Sequence, residues 1–435
     1  MARSLVLACV FLVCLTVSVL IYEALRLDLH VRTPLPIGYR VVSPNRPNLP
    51  VTQDQTLTLT LRMAAVPKLI QRMYCDFLRS AVLFWSPKLG HISMILDKES
   101  AADHRLAARL SQQEHAFGVN FDFIYEPLPN DISILEIEKD RGYGRQLWSS
   151  FFMDLYINAP IIAWTDTDGM FTTPVTPENI FNGHRLRVVT FSYWSLSRMH
   201  GWDTTTKLAT GMNLAADFMS YFPVYIWRDT IRNCRKHILD HMNVSNFADA
   251  FKKMKVKNAR VSPVNIILNY AYYFEHDRYD WHLDVNNNLE AYNSKHVQPG
   301  FEIKPNETVP DVRVTVHAGV HFLIKGPHPM LQGYCIAKRY VGTPSAACKR
   351  FENVTNFQLF EFVVAKHHTL NHLATWCSPE GDGRKDCSRR IEAHYKNVGR
   401  YYNLGWFDLD MRRVSAVEKA AALGNVTCPK IFSFN

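Results

Sequence analysis

The sequence predicts an α/β domain built on a mostly parallel sheet that is flanked by helices. Short apolar or alternating segments predict strands at 57–62, 92–97, 121–125 and 161–164. The segments between them, 67–85, 101–117 and 142–157, carry apolar side chains at helical spacing. Strands that alternate with helices are typical of a parallel sheet with right-handed crossovers.

Each element has its own pattern. Residues 57–62 alternate apolar and polar side chains, and 92–97 is an apolar strand that ends in a carboxylate, Asp97. Residues 101–117 are polar on one helical face. The other two helices are recognised by apolar stripes, which are Leu69, Met73, Phe77, Ala81 and Phe84 in the first and Leu147, Phe151 and Leu155 in the second.

An acidic motif follows the last predicted strand. The apolar run Ile161–Trp164 is followed by Asp166, Asp168 and Gly169. Residues two apart on an extended chain point the same way, and ligands of open α/β sheets bind beyond the carboxyl ends of the strands. Two carboxylates at one point repel each other unless a cation neutralises them. A Mg²⁺ or Mn²⁺ ion that carries substrate phosphates fits, because hard cations take carboxylate oxygens.

The N-terminal part predicts a cytosolic tail at 1–4, a transmembrane anchor at 5–25 and a proline-rich stalk at 26–55. Residues 5–22 carry no charge and reach the lower length limit of a membrane-spanning helix. A cleaved signal peptide is the alternative, but no convincing pair of small residues marks a cleavage site. For the last part of the stalk, an ordered strap lying on the domain is an equal alternative.

Other features favour an oxidising lumen. Four acceptor sequences for N-glycosylation occur, at Asn243, Asn306, Asn353 and Asn425. Cysteines that lie close in sequence are disulfide candidates, namely Cys335 with Cys348 and Cys377 with Cys387. The net charge of +9 is spread along the chain without a basic block that interleaves aromatics, so the sequence argues against nucleic acid as a partner.

An anchor, a stalk, a βαβ half and then Asp166-Thr167-Asp168 together resemble the type II Golgi glycosyltransferases of the GT-A fold. The resemblance covers 56–330, with 331–435 as a helical, disulfide-stapled extension of the same lumenal domain. It implies a single-pass protein of the Golgi membrane. It also implies transfer of a sugar from a nucleoside-diphosphate sugar to a hydroxyl of a glycan, glycoprotein or glycolipid.

The resemblance also implies roles for individual residues. Asp168 is the main ligand of Mn²⁺ or Mg²⁺, and Asp166 contacts the metal or the ribose. Asp97 lies near the nucleoside. Arg145 and Gln146 contact the donor, and Arg145 can pair with a phosphate because guanidinium matches phosphate geometry.

A second set of candidates comes from later segments. Residues 312–322 alternate as a strand and place His317 and His321 on one side. The resemblance implies that one of these two histidines binds the same metal ion, and a surface position without a metal is the alternative for either. Lys325 can then approach the diphosphate. For an inverting reaction, the acidic residues at 275–284 are candidates for the base that takes the acceptor proton. They are Glu275, Asp277, Asp280 and Asp284, of which Glu275 and Asp284 are the first choices. The sequence leaves open whether the reaction inverts or retains configuration.

Two other functions remain open at this point. The string from Asp166 to Gly169 also resembles the first motif of haloacid dehalogenase-type phosphatases, with Asp166 as nucleophile. Residues 381–386 resemble the late metal motif of that group, but no apolar strand precedes them. Alternatively, the chain is a non-catalytic lumenal carbohydrate-binding protein in which the two aspartates only shape a turn.

Overall fold

The computed structural model describes residues 40–42, 57–137, 140–167, 169, 171, 175–190, 200–220, 222–283, 288–308, 400–406 and 410–428. All of them belong to one compact unit, Arg40–Asn435. The predicted anchor lies outside these residues, as do both predicted cysteine pairs. Nowhere in the described part of the chain is a helix both long and apolar enough to cross a membrane.

Strands and helices alternate through the first half of this unit. In chain order, the strands are β1 Arg40–Val42, β2 Leu57–Arg62, β3 Ile92–Asp97, β4 Phe121–Glu126, β5 Ile161–Thr165, β6 Phe181–Asn182, β7 Arg185–Thr190, β8 Val224–Trp227 and β9 Tyr279–Leu283. The helices are α1 Pro67–Arg72, α2 Arg79–Phe84, α3 Ala101–Phe117, α4 Arg141–Ser150, α5 Met153–Tyr156, α6 Pro177–Ile180, α7 Trp202–Thr210, α8 Arg228–Met242, α9 Phe247–Lys253, α10 Pro263–Phe274, α11 Leu289–His296 and α12 Met411–Leu423.

Among the described residues, six strands form the main sheet in the order β1-β4-β3-β2-β5-β8. The pairs β4–β3, β3–β2 and β2–β5 are parallel, whereas β1 and β8 pair antiparallel at the two edges. A smaller sheet in the same part of the chain has the order β6-β7-β9. The prediction of an α/β fold with a mostly parallel sheet flanked by helices is therefore confirmed.

Four of the predicted strands are confirmed as β2, β3, β4 and β5. Their apolar residues are buried on both faces, as expected for central strands covered by helices. The predicted helix at 67–85 is present as three consecutive helical segments, which are α1, a π-helical segment at Met73–Leu78, and α2. The helix predicted at 142–157 is divided into α4 and α5. The hydroxyls of Ser149 and Ser150 bond back to carbonyls one turn earlier, and such bonds compete with the helical ladder.

The predicted stalk contains an ordered strand. Arg40–Val42 pairs antiparallel with Asp122–Ile124 of β4 and forms an edge of the main sheet. At these three residues the chain is therefore a strap on the domain rather than a linker. The rest of the predicted stalk lies outside the described residues.

The described C-terminal residues pack on the first helices of the unit. α12 lies against α2, α3 and the π-helical segment, and Arg79 Nη1 is 3.0 Å from Glu418 Oε1. A disulfide joins Cys75 to Cys428 across 353 residues of sequence. This pairing was not predicted, because sequence spacing gives no sign that two distant cysteines meet.

We expect Cys428→Ser to lower the free energy of unfolding by about 2–5 kcal/mol, because the bond restricts a very long loop of the unfolded chain. Thermal unfolding of the wild type in reductant should reproduce the lower transition temperature of the variant. If reductant leaves the wild-type transition unchanged, the bond does not contribute to stability.

Cys234, in contrast, is a buried free thiol. Burial raises the pKa of this thiol, so Cys234 should resist alkylation in the folded protein.

Three acceptor asparagines lie at exposed positions. Asn243 ends α8 in the left-handed conformation, Asn306 lies in a 3₁₀ turn and Asn425 follows α12. All three side chains are open to solvent. Modification at these positions remains a prediction, and the fold leaves room for it.

Candidate active site

The strand order reverses between β2 and β5. From β2 the chain builds outward through β3 and β4, and then returns to place β5 on the other side of β2. In open α/β sheets, ligands bind outside the carboxyl ends of the strands at such a switch point. Leu61 pairs with Thr165, so Arg62 and Asp166 lie next to each other at this edge. The acidic motif therefore begins at the point where this architecture is expected to bind a ligand.

The acidic motif starts in a tight turn. Gly169 N donates to Asp166 O at 3.0 Å, which closes four residues into a turn. A Cβ at Gly169 would lie 2.6 Å from Thr165 Oγ1 and 3.1 Å from Asp166 O, so only glycine fits without movement. Asp166 is half-buried, whereas Asp168 lies outside the described residues.

Gln146 orients the carboxylate of Asp166. Gln146 Nε2, on α4, donates to Asp166 Oδ1 at 3.0 Å. Asp140 caps the start of the same helix by accepting a bond from Gly142 N at 2.8 Å, so the position of Gln146 is set by a fixed helix. Groups that hydrogen-bond to a metal-binding carboxylate tune its orientation and its affinity for the ion. Gln146 therefore lies beside the acidic motif, and its predicted contact with the donor stays a prediction.

The guanidinium group of Arg145 forms ion pairs with carboxylates of the protein. Its Nε lies 3.3 Å from Asp97 Oδ1, and its Nη2 lies 3.1 Å from Glu99 Oε2. The same Nη2 donates to Glu126 O at 2.5 Å. These contacts do not test the predicted role of Arg145 as a phosphate ligand, which stays a prediction. Three acidic residues already surround a side chain that is only 7% exposed, and they hold it at the ends of β3 and β4.

Asp97 belongs to the same network of charges. Arg62 Nη2 forms an ion pair with Asp97 Oδ1 and lies 3.6 Å from Glu126 Oε2. Arg62 Nε also donates to Ser149 Oγ at 3.2 Å. Asp97 remains 20% exposed at the carboxyl edge, so a ligand at this edge can still reach it. Its predicted place near a nucleoside stays a prediction.

Glu126 is the most buried acid of this network. Burial raises the pKa of its carboxyl group, while Arg62, a hydrogen bond from Ser149 and Arg145 act in the opposite direction. Three of the four parallel strands in the described part of the chain thus end in charged residues that bind one another. The roles of Arg62, Glu126 and Ser149 in this network were not predicted. Arg62 and Glu126 end their strands just as Asp97 does, and that position was the signal that could have identified them.

Glu275 lies near the amino end of β5, whereas Asp166 follows its carboxyl end. It accepts bonds from Thr230 Oγ1 at 2.5 Å, Asn233 Nδ2 at 2.9 Å and Arg278 Nη1 at 2.7 Å. Thr230 follows β8, whose last residue pairs with the first residue of β5. β5 is five residues long, so about 16 Å separates its first residue, the partner of Trp227, from Asp166. Glu275 is thus bonded near the amino end of β5, and its predicted role as the base stays a prediction.

The remaining candidates lie outside the described residues. These are Asp168, Asp284, His317, His321 and Lys325. Among the residues that the structure does describe, no group of three or more His, Cys, Asp or Glu side chains is arranged to hold a metal ion. Metal binding therefore remains a prediction that depends on Asp166 and on partners beyond this set.

No model of a known protein family matches this chain. The search of curated proteins gave no match either.

Proposed function

We propose that the protein is a metal-dependent glycosyltransferase that moves a sugar from a nucleoside-diphosphate sugar to a hydroxyl of a glycan, glycoprotein or glycolipid. One observation carries the proposal. Asp166, a half-buried carboxylate, is oriented by Gln146 and by a glycine turn at the switch point of a mostly parallel sheet. This is where an open α/β sheet binds phosphorylated ligands.

The residues present have the chemistry that a divalent ion needs. Asp166 offers carboxylate oxygens at an open sheet edge, and Asp168 follows two residues later, so both fit Mn²⁺ or Mg²⁺. When bound, such an ion neutralises charge on a diphosphate leaving group. Gln146 orients the Asp166 carboxylate, and Asp97 is available to a ribose hydroxyl at the end of β3, two strands from β5. Beneath them, Arg62 and Arg145 keep the acidic strand ends in place.

The phosphatase alternative is less well supported. In that group the nucleophile strand opens the fold, whereas here β2, β3 and β4 with their helices precede β5. The residues of its second motif, 381–386, lie outside the described part of the chain. Metal-dependent binding of a nucleoside diphosphate distinguishes the transferase from this phosphatase and from a non-catalytic carbohydrate-binding protein.

The test is a binding and hydrolysis panel on the detergent-solubilised full chain. UDP, GDP and ADP are titrated with Mn²⁺ and with EDTA, and sugar nucleotides are then assayed for Mn²⁺-dependent hydrolysis. We expect at least one nucleoside diphosphate to bind at least about tenfold more tightly with Mn²⁺, since the ion bridges two anions. Failure of all three to bind would overturn the proposal. Hydrolysis of an aryl phosphate that Asp166→Asn abolishes would support the phosphatase instead.

A further inference from the structure

A groove of about 650 Å³ lies apart from the acidic motif. It is formed by α7, the loop that follows it, the end of α8 and the end of α11. Four of its side chains are basic or can become so, and one is acidic. They are Lys207, His241, Lys295 and His296, and the acid is Asp203. We call this the basic groove.

Further cations flank the basic groove. Val256 lines it, and the exposed residues Lys255 and Lys257 stand on either side of Val256 in sequence. The segment 252–260 holds five Lys or Arg residues and no acid. Within the described residues, Lys207, Lys255, Lys257 and Lys295 form no ion pair, unlike Lys252, which binds Asp131. Unpaired cations around one concave surface attract an anionic ligand.

A row of rings extends from the same groove. The ring of His241 is parallel to that of His237, with centroids 6.1 Å apart, and His237 lies 4.4 Å from the ring of Phe274. Tyr270 stacks on Phe274 at 5.2 Å. Phe274 is 46% exposed at the end of α10. Tyr270 is buried and His237 is half-buried, so Phe274 is the ring of this row that offers an apolar surface to the C–H face of a sugar.

The basic groove is structurally joined to the edge that carries Asp166. Its loop continues to Ala215, whose N donates to Asn269 Oδ1 at 2.9 Å and whose O accepts from Tyr292 Oη at 2.9 Å. Phe218 N donates to Asn265 Oδ1 at 2.7 Å. The chain then enters β8 at Val224, which pairs with Trp164, two residues before Asp166. Buried asparagines on α10 therefore fix the path between the groove and the acidic motif, which makes the groove a preformed surface.

We propose that the basic groove binds an anionic saccharide, and that the acceptor of the transferase is therefore a glycan that carries sulfate or carboxylate groups. Lys207 and Lys295 bind the anionic groups, and the exposed ring of Phe274 contacts a sugar face. The statement about the acceptor rests on the proposed function, whereas the statement about saccharide binding does not. Charge complementarity selects this ligand, because a neutral glycan would gain nothing from four unpaired lysines.

The binding test uses the full chain in detergent, without nucleotide or metal. The probes are a chondroitin sulfate hexasaccharide and the neutral cellohexaose. We expect the sulfated probe to bind at least about tenfold more tightly, and to lose affinity as salt rises, because exposed charges are screened. Lys207→Gln/Lys295→Gln should lower the affinity about tenfold or more. The matched control is Lys68→Gln/Lys419→Gln, which removes two exposed lysines on α1 and α12 and should bind as the wild type does.

Equal affinity for the two probes would overturn the proposal, and so would an equal loss in both double variants. Phe274→Ala should weaken binding about two- to tenfold, and unchanged binding would remove the rings from the site. In the transferase assay, the groove variant should raise KM for the anionic acceptor without changing the affinity for Mn²⁺ and nucleotide. Saccharide binding that persists in a protein that binds no nucleoside diphosphate would overturn the proposed function and the acceptor statement, but support the groove.

Discussion

Replacing Asp166 with alanine is expected to weaken Mn²⁺-dependent binding of the preferred nucleoside diphosphate by more than about 100-fold, because removal of a ligand exceeds the 10–100-fold loss typical of its hydrogen-bond partners. The fold should survive, since Asp166 is only half-buried and follows the end of β5 rather than lying inside it. Calorimetric titration of Mn²⁺ and nucleotide into each protein measures the effect, and the thermal transition checks the fold.

Substitutions at neighbouring residues should weaken the same binding to different degrees. Gln146→Ala should weaken the same binding about 10–100-fold, because Asp166 Oδ1 loses the bond that orients it. Asp168→Ala should match Asp166→Ala. The matched control is Asp277→Ala, which removes an exposed acid near Glu275 at the far edge of the sheet and should change nothing. Wild-type affinity in Asp166→Ala would remove the acidic motif from the donor site.

The central strands could be predicted because their signals are local. Apolar runs and alternation identify β2 to β5, and helices between them force parallel pairing. The antiparallel edges could not be predicted in this way. β1 is three residues within a proline-rich segment, and its partner β4 lies about eighty residues later in the chain. The same holds for Cys75 and Cys428, which only the packed helices bring together.

The site was predicted to the level of strand ends and no further. Asp97 ends β3, Asp166 follows β5, and Gln146, near the middle of the helix that comes after β4, donates to Asp166, so all three lie at the carboxyl edge. The partners of Arg145 depend on which strands are neighbours, and the sequence does not state the strand order. The surroundings of Glu275 could not be predicted for a related reason. Glu275 follows α10 and accepts a bond from Thr230 at the start of α8, near the amino end of β5.

Replacing Arg62 with methionine is expected to lower the free energy of unfolding by about 3–5 kcal/mol near neutral pH, since it removes the nearer of two cations that pair with the buried Glu126 and leaves Arg145 at 3.8 Å. Arg62 and Glu126 are 3% and 1% exposed, and Asp97 shares the same guanidinium. Burial already raises the pKa of Glu126, and Arg62 is the strongest influence that lowers it. The pKa should therefore rise further in the variant. When a carboxyl group has a higher pKa in the folded than in the unfolded state, the folded protein loses stability as pH rises from the unfolded-state pKa to the folded-state pKa. The deficit should thus be small near pH 4 and grow toward pH 8.

Urea unfolding between pH 4 and pH 8 measures this deficit. Arg141→Met is the matched control, because Arg141 is 68% exposed and its pair with Glu136 should contribute less than about 1 kcal/mol. In Arg62→Met/Glu126→Gln the slope against pH should flatten, because the acid that titrates is gone, and part of the lost stability should return. If Arg62→Met is no less stable than Arg141→Met at pH 7.5, the charged strand ends do not hold the carboxyl edge together. In that case Gln146 and Asp166 must be positioned by the helix and the glycine turn alone.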